Sequence, residues 1–377
     1  MTIKIGNYDR NHFNRIGSAS GQMAEKQIRI IATPAHTMIA EQVCQKLDVP
    51  LFPVRYEKMP NGLWKAELLA TPSKAGLFII HTANSGTINE NMMQLYALIT
   101  AISKLPVSER PSKVVASCLH FPYAREERKA EPREPISAAA IANLITTVHY
   151  PMATGISGKM LLRVDEKRVV DRVIVVNLHS AAIEGFFPVP VDHLDGKLLI
   201  ESFIRQHATN LENIIITGPD AGRFKMALKI AEDLFGEEAM KHLINIAKIR
   251  GKKDAAGRSS VESMIVGSVE NKVVFVVDDM IDTGGTIIKA VKALKAAGAK
   301  EVFVVTVHGI LSGTAIERLM GNTDIARIGI VDTVYVPKEK WVSMKPKTSR
   351  LHLASLLKNV IERTFLEKSI IGYQSIT

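Results

Sequence analysis

Seven runs of consecutive apolar, largely β-branched residues recur along the chain: IRIIAT from Ile28, GLFIIHT from Gly76, KVVASCL from Lys113, RVIVVNL from Arg172, NIIITG from Asn213, KVVFVVDD from Lys272 and EVFVVTV from Glu301. Each is short, and each is apolar throughout instead of at every second residue, so each reads as a strand covered on both faces. Between them HTMIAEQVCQKL, INENMMQLYALITAISKL, ISAAAIANLITT, AGRFKMALKIAEDLF and TIIKAVKALKAAG carry apolar residues at helical spacing. Strands covered on both faces and separated by helices require largely parallel sheets with crossover connections. The expected fold class is therefore α/β. Ligands in such folds sit beyond the carboxyl ends of the strands.

A chain of 377 residues suits two domains, and the strand and helix rhythm is similar in its two halves. The expected organisation is an N-terminal arm over 1–27, a first domain over 28–198 and a second over 199–377. The stretch from His149 to Lys167, with its Pro, Gly and charges, reads as a surface insertion in the first domain. Lys248 to Ser260 is basic, contains glycine and lacks apolar periodicity, so it reads as a mobile loop.

Composition narrows the function classes. No apolar run approaches the roughly 18 residues that a membrane-spanning helix needs, and the first residues lack the apolar core of a secretory signal. The two cysteines, Cys44 and Cys118, are too few for a disulfide framework or a metal knuckle, which fits a reducing cytoplasm. The formal charge of +10 points to anionic partners. Nucleic acid is not the expected one, because the basic residues are not interleaved with aromatics.

One segment carries specific chemistry. The strand KVVFVVDD runs into Met280, Ile281, Asp282, Thr283, Gly284, Gly285 and Thr286, where the helix TIIKAVKALKAA begins. Ile287, Val291 and Leu294 recur at helical spacing and should face the sheet, and Gly298 stands where a helix C-cap belongs. Gly284 and Gly285 let the backbone approach a ligand, the first-turn N–H groups offer an anion site, and Thr283 and Thr286 add hydroxyls. Asp278 and Asp279, at the strand end, can accept hydrogen bonds from vicinal ribose hydroxyls or reach a metal. A capping role explains one aspartate or threonine here, not three aspartates and two glycines in one turn. No G-x-x-x-x-G-K-[ST] occurs in the chain, so this is not a Walker loop.

VVFVVDDMIDTGGT resembles the phosphoribosyl-binding signature of the phosphoribosyltransferase fold. That signature serves both enzymes that consume phosphoribosyl pyrophosphate and the synthetase that makes it. From about Ile28 to Glu362 the chain resembles the ribose-phosphate pyrophosphokinase family, with HFPYAREERKAEPREPIS, NLHSAAIEGFFPVPVDHL, GPDAG and VHGILSGTAIERL in that family's order. The resemblance implies two tandem phosphoribosyltransferase-like domains and transfer of the diphosphoryl group of ATP to the anomeric hydroxyl of ribose 5-phosphate. It implies Asn61, Arg125 and Glu126 on ATP, His179 and Asp220 on Mg²⁺, and Lys248 and Arg250 as catalytic cations on the transferring group. It also implies that Asp278, Asp279, Asp282, Thr283, Gly284, Gly285 and Thr286 hold the ribose phosphate, and that the protein is a homo-oligomer, dimer or hexamer.

The chain departs from that pattern near the nucleotide and ribose sites. Met59, Pro60, Asn61, Gly62 and Leu63 replace a stretch that usually carries Phe and Glu, Glu126 replaces Gln, Asn177 replaces Asp, and Arg223 replaces Gly. These changes leave open a larger acceptor such as ADP-ribose, with Arg223 or the insertion on the added phosphate. They also leave open a regulatory paralogue or a phosphoribosyltransferase, although Lys248, Arg250, His179 and Asp220 argue against loss of catalysis.

Overall fold

The computed structural model describes residues 1–6, 28–151, 164–253 and 259–370. The chain forms two compact units, one built from Met1–Asp195 together with the C-terminal segment that begins at Ala354, the other from Gly196–Leu353.

The first unit contains β1 (Thr2–Ile5), β2 (Ile28–Ala32), α1 (Thr37–Leu47), β3 (Val54–Lys58), β4 (Trp64–Leu68), β5 (Gly76–His81) and α2 (Ile88–Ser103). It continues with β6 (Lys113–Cys118), α3 (Ser137–Thr146), β7 (His149–Pro151), β8 (Val164–Arg168), β9 (Arg172–Val176) and β10 (Val191–Leu194). Its main sheet is parallel, in the order β10-β9-β6-β5-β2. Every residue of β2 and β5 is buried, which is why these runs are apolar without alternation. Cys44 and Cys118 are buried free thiols, and burial pushes both up to about 12, so neither is a ready nucleophile.

The second unit contains α4 (Lys197–His207), β11 (Ile214–Thr217), α5 (Phe224–Phe235), β12 (Asn245–Lys253), β13 (Ser259–Val266) and β14 (Val273–Ile281). It continues with α6 (Gly285–Ala296), β15 (Glu301–Gly309), α7 (Ala315–Gly321), β16 (Ile325–Val331), α8 (Lys338–Met344) and β17 (Thr348–Leu351). Its five-stranded sheet is also parallel throughout, in the order β11-β14-β15-β16-β17. Ile287, Ala290, Val291 and Leu294 of α6 are buried with Val274, Val276, Val302 and Val304, as the helical spacing requires. Gly298 follows α6 with φ of +88° and donates its N–H to the Lys295 carbonyl.

The structure departs from the sequence expectation in three places. The arm expected over 1–27 begins with a strand: β1 pairs antiparallel with β3, and β4 completes a small sheet. Residues 7–27 lie outside the described residues. Of the stretch from Lys248 to Ser260, expected as a mobile loop, residues 248–253 and 259–260 belong to an antiparallel ribbon in which β12 pairs with β13 from Asn245↔Val266 to Lys253↔Ser259, and residues 254–258 lie outside the described residues. Main-chain pairing needs no apolar periodicity once Ile246, fully buried opposite Ile265, anchors the base. The boundary expected at residue 199 falls at 195/196, and the last helix, α9 (Ala354–Phe365), belongs to the first unit.

Helix α9 buries Leu356, Leu357, Val360 and Ile361, each contributing about 1.5–3 kcal/mol when fully removed from water, and it packs on α1. A Cβ at Gly76 would lie 2.6 Å from the Phe365 ring, so a glycine in β5 makes room for the helix end. Thr364 also donates a hydrogen bond to Asp192 at 3.4 Å. The apolar stripe of α9 declares a buried face but not which sheet it covers. Of the insertion over 149–167, the described ends form the antiparallel pair β7 and β8.

Glu201, on α4, is pushed up to about 7 by burial and by the nearby Asp233 carboxylate on α5, with Lys197 opposing. A carboxyl raised in the folded state favours folding below its ordinary pKa of about 4.5 and loses that contribution as pH rises through about 7. Glu201→Gln should therefore gain melting temperature relative to wild type between pH 5 and pH 8 in parallel thermal melts. A difference between the two proteins that does not change with pH would contradict this.

Candidate functional site

Strand β14 stays buried from Val273 through Asp279, with Asp278 and Asp279 8% and 5% exposed. Strand β11 runs parallel to it and pairs up to Thr217↔Val276, so the turn from Gly218 to Arg223 leaves at the same sheet edge as the two aspartates. In that turn Asp220 accepts a hydrogen bond from the Gly222 N–H at 3.1 Å. The Arg223 Nε then lies 3.3 Å from Asp278 Oδ1 and 3.1 Å from Asp279 Oδ1. Burial, then the hydrogen bond and charge of Asp279, hold the Asp278 carboxyl well above the usual carboxylate range, with Arg223 opposing and Asp220 adding.

Beyond β14 the chain turns through Asp282, Thr283 and Gly284 and enters α6 at Gly285. Gly284 has φ of +74°, a left-handed conformation that a side chain would strain. Gly285 has no such conformational need. A Cβ there would meet nothing nearer than Thr283 Oγ1 at 3.9 Å, so packing within the protein would admit a larger residue and the glycine keeps the space open. Thr283 and Thr286 are exposed beside it. The first-turn N–H groups of a 12-residue helix, with its dipole, thus border a gap flanked by two hydroxyl side chains.

The turn is held from behind by residues that sequence reasoning did not assign. Ser312 donates its N–H to the Asp282 carbonyl, and Ile310 and Leu311 donate theirs to the Ile281 carbonyl, each at 3.0 Å. Arg318 of α7 donates to the Thr283 carbonyl at 3.3 Å. All four lie in VHGILSGTAIERL, whose pattern alone gave no sign that it braces the turn. Lys248 and Arg250 stand on β12, paired in register with Ser263 and Val261.

In the first unit His179 lies, half-buried, in the loop that leaves β9. That loop opens at Asn177, whose φ of +39° is left-handed, and Asn177 donates its side-chain N–H to Asp195 at 3.3 Å. His193 of β10 braces it: the Leu178 N–H donates to His193 Nε2 at 3.0 Å, and His193 Nδ1 lies 2.8 Å from Glu184 Oε1. An accepting Nε2 requires the tautomer in which Nδ1 carries the proton and donates to Glu184. Arg125 and Glu126 are exposed on the turn after β6, which closes through the Glu126 N–H to the Tyr123 carbonyl at 2.9 Å. Asn61 is exposed at the tip of the β3–β4 hairpin, where its side-chain oxygen accepts from the Leu63 N–H at 3.3 Å.

Within the second unit, Asp220, Arg223, Asp278 and Asp279 form one electrostatic cluster at the strand ends beside the turn from Asp282 to Thr286. Within the first, His179, Arg125 and Glu126 follow main-sheet strands, whereas Asn61 lies in the small antiparallel sheet. Among the described residues no group of three or more His, Cys, Asp or Glu side chains is placed to hold a metal by itself. An ion such as Mg²⁺ that keeps several waters and travels with phosphate needs only one or two protein ligands, and Asp220 supplies an oxygen of that kind.

A family model described as the N-terminal domain of ribose phosphate pyrophosphokinase matches residues 28–148, and one described as the phosphoribosyl transferase domain matches residues 192–325. The ribose-phosphate pyrophosphokinase of Clostridium perfringens is 30% identical over 348 residues, 92% of this chain and 97% of its own length. The chain belongs to the ribose-phosphate pyrophosphokinase family. Ribose-phosphate pyrophosphokinase 3 of Saccharomyces cerevisiae is 32% identical over 349 residues, again 92% of this chain and 97% of the relative. The solved phosphoribosylpyrophosphate synthetase from Mycobacterium smegmatis superimposes with a TM-score of 0.75 at 30% identity, covering 91% of this chain and all of that one. The two units are thus phosphoribosyltransferase-like domains with parallel sheets flanked by helices.

The two glycines of the turn should separate by experiment. Gly284→Ala should lower the melting temperature, because a left-handed alanine costs on the order of 1 kcal/mol. Gly285→Ala should leave the melting temperature unchanged or raise it, yet weaken binding of a sugar phosphate at least about tenfold, near 1.4 kcal/mol. Calorimetric titration with ribose 5-phosphate beside thermal melts checks both, and unchanged affinity in Gly285→Ala would show that the gap at Gly285 is not a ligand site.

Proposed function

We propose that this protein transfers the β,γ-diphosphoryl group of ATP to the anomeric hydroxyl of ribose 5-phosphate, giving phosphoribosyl pyrophosphate and AMP. Family membership supports this reading, and the observation that carries it is the turn from Asp278 to Thr286. There a buried carboxylate pair, a gap at Gly285 with no packing purpose and two exposed threonines stand in the order that a ribose phosphate requires.

In this reading the sugar phosphate lies on the N–H groups and hydroxyls of Thr283, Gly284, Gly285 and Thr286, with Asp282 in the turn. Asp278 and Asp279 accept hydrogen bonds from the ring hydroxyls, which fixes the anomeric carbon relative to the phosphate. The anomeric oxygen attacks the β-phosphorus, the bond from that phosphorus to the bridging oxygen breaks, AMP departs and the hydroxyl proton is lost. Negative charge on the phosphoryl oxygens must be offset. Lys248 and Arg250 are the proposed cations for the transferring group, and stabilisation felt only in the transition state raises turnover. Arg125, Glu126 and Asn61 are the proposed ATP contacts, since a guanidinium can pair with phosphate or stack on a base. His179 and Asp220 are the proposed ligands of the Mg²⁺ that accompanies ATP, an ion that withdraws charge from phosphoryl oxygens when bound. The His193–Glu184 pair that braces the loop of His179 would keep that imidazole in place. A homo-oligomer, dimer or hexamer, belongs to the same reading.

Of the two features offered for a larger acceptor, Arg223 is ion-paired with Asp278 and Asp279, and residues 152–163 of the insertion lie outside the described residues. Incubation with ATP and Mg²⁺ should release AMP with ribose 5-phosphate, less than a tenth as fast with ADP-ribose, and not at all with ribose. Absence of AMP with both phosphorylated acceptors would overturn the reading, and a preference for ADP-ribose would overturn the acceptor.

A further inference from the structure

Two carboxylates removed from water side by side are accommodated by a shared proton, by a positive counter-charge or by both. Asp278 and Asp279 have side chains only 11% and 7% exposed, and Asp220 lies close enough to add its charge. A divalent cation, which takes carboxylate and hydroxyl oxygens as ligands, is one such counter-charge. Here the chain supplies a counter-charge itself. The Arg223 Nε sits between the two carboxylates, 3.3 Å from one and 3.1 Å from the other, on a side chain that is itself 23% exposed.

The turn is shaped around this residue. Asp220 caps the short 3₁₀ turn Ala221–Arg223 through the Gly222 N–H, which fixes where the backbone of residue 223 stands. A Cβ at Gly218 would lie 2.5 Å from the Arg223 Cβ and 2.9 Å from its carbonyl carbon, so residue 218 leaves room for a side chain at 223. Arg223 has φ of −102° and ψ of 0°, a conformation open to any residue, so the backbone does not demand a glycine there. The guanidinium is always protonated, and so cannot release the pair by losing its charge.

Resting on the proposed function, we infer that Arg223 is a positioning residue that takes the place of a divalent cation at the ribose carboxylates. The requirement of this protein for Mg²⁺ is then confined to the ion that enters with ATP. A guanidinium fixed to the fold holds Asp278 and Asp279 toward the ring hydroxyls before any ligand arrives, with no metal to be recruited to the acceptor side.

Mn²⁺ is the probe, titrated into the full-length protein without nucleotide and followed by electron paramagnetic resonance. Wild type should bind no Mn²⁺ at the carboxylate pair, whereas Arg223→Ala should gain one site per chain, at least tenfold tighter than any in wild type. Asp279→Asn in the same background should abolish that site, and Arg223→Lys should suppress it. If Arg223→Ala does not fold, Arg223→Met retains the volume and carries the same expectation. In parallel, the initial rate at saturating Mg·ATP should be flat as free Mg²⁺ rises in wild type and Arg223→Lys, and should climb several-fold in Arg223→Ala. A Mn²⁺ site at the pair in wild type, or none gained on removing the guanidinium, would overturn the inference. The Mn²⁺ titration needs no turnover, so absence of AMP formation would defeat the functional reading while leaving this result to stand or fall by itself.

Discussion

Strand β14 is buried on both faces for seven successive residues, and the last two of them are aspartates. That constraint organises the second unit. Carboxylates can end such a strand only if the neighbouring loops meet them, and parallel pairing with β11 brings the Gly218–Arg223 turn to the same edge. The Arg223 ion pairs, on a turn fixed by the cap at Asp220, meet the carboxylates at the end of the apolar strand, while Ser312 and Arg318 brace the carbonyls of Asp282 and Thr283 in the turn that follows. Breaking one partner of such a cluster leaves charge buried without compensation, which costs several kcal/mol, on the order of 3–5. The residues that would bind a sugar are therefore also residues that the fold must satisfy.

The two units solve the same problem with the same architecture and different chemistry. Both present a five-stranded parallel sheet and carry candidate residues in loops after strands β6, β9, β11 and β14. The loop after β14 is acidic and open at a helix start, suited to a hydroxylated phosphate. The loops after β6 and β9 expose Arg125 and hold the half-buried His179, which in the proposed function meet the polyphosphate and its ion. A parallel sheet permits this division because its loops at one edge can vary without disturbing the buried strands.

Much of this was legible in the residues. Continuous apolar runs mark seven of the ten strands of the two main sheets, and the spacing of Ile287, Val291 and Leu294 alone places the buried face of α6. The left-handed Gly284 and the open Gly285 could be read as a pair of glycines but not as one conformational and one spatial requirement, since only backbone angles and distances separate the two. The ribbon of β12 and β13 escaped because main-chain pairing leaves no apolar period. The assignment of α9 to the first unit escaped because an amphipathic stripe does not name its partner. Arg223 stood out as an arginine where glycine is usual, yet its direction depends on the turn geometry that Asp220 and Gly218 impose.

In the proposed function the turn from Asp278 to Thr286 holds the acceptor sugar in one orientation. A crystal structure of the protein with ribose 5-phosphate tests it most directly. The phosphate should lie against the N–H groups at the start of α6, within hydrogen-bond reach of Thr283 and Thr286, and the ring hydroxyls on Asp278 and Asp279. A sugar bound elsewhere, or bound here with its phosphate on the aspartates' side and its hydroxyls at the helix start, would contradict it.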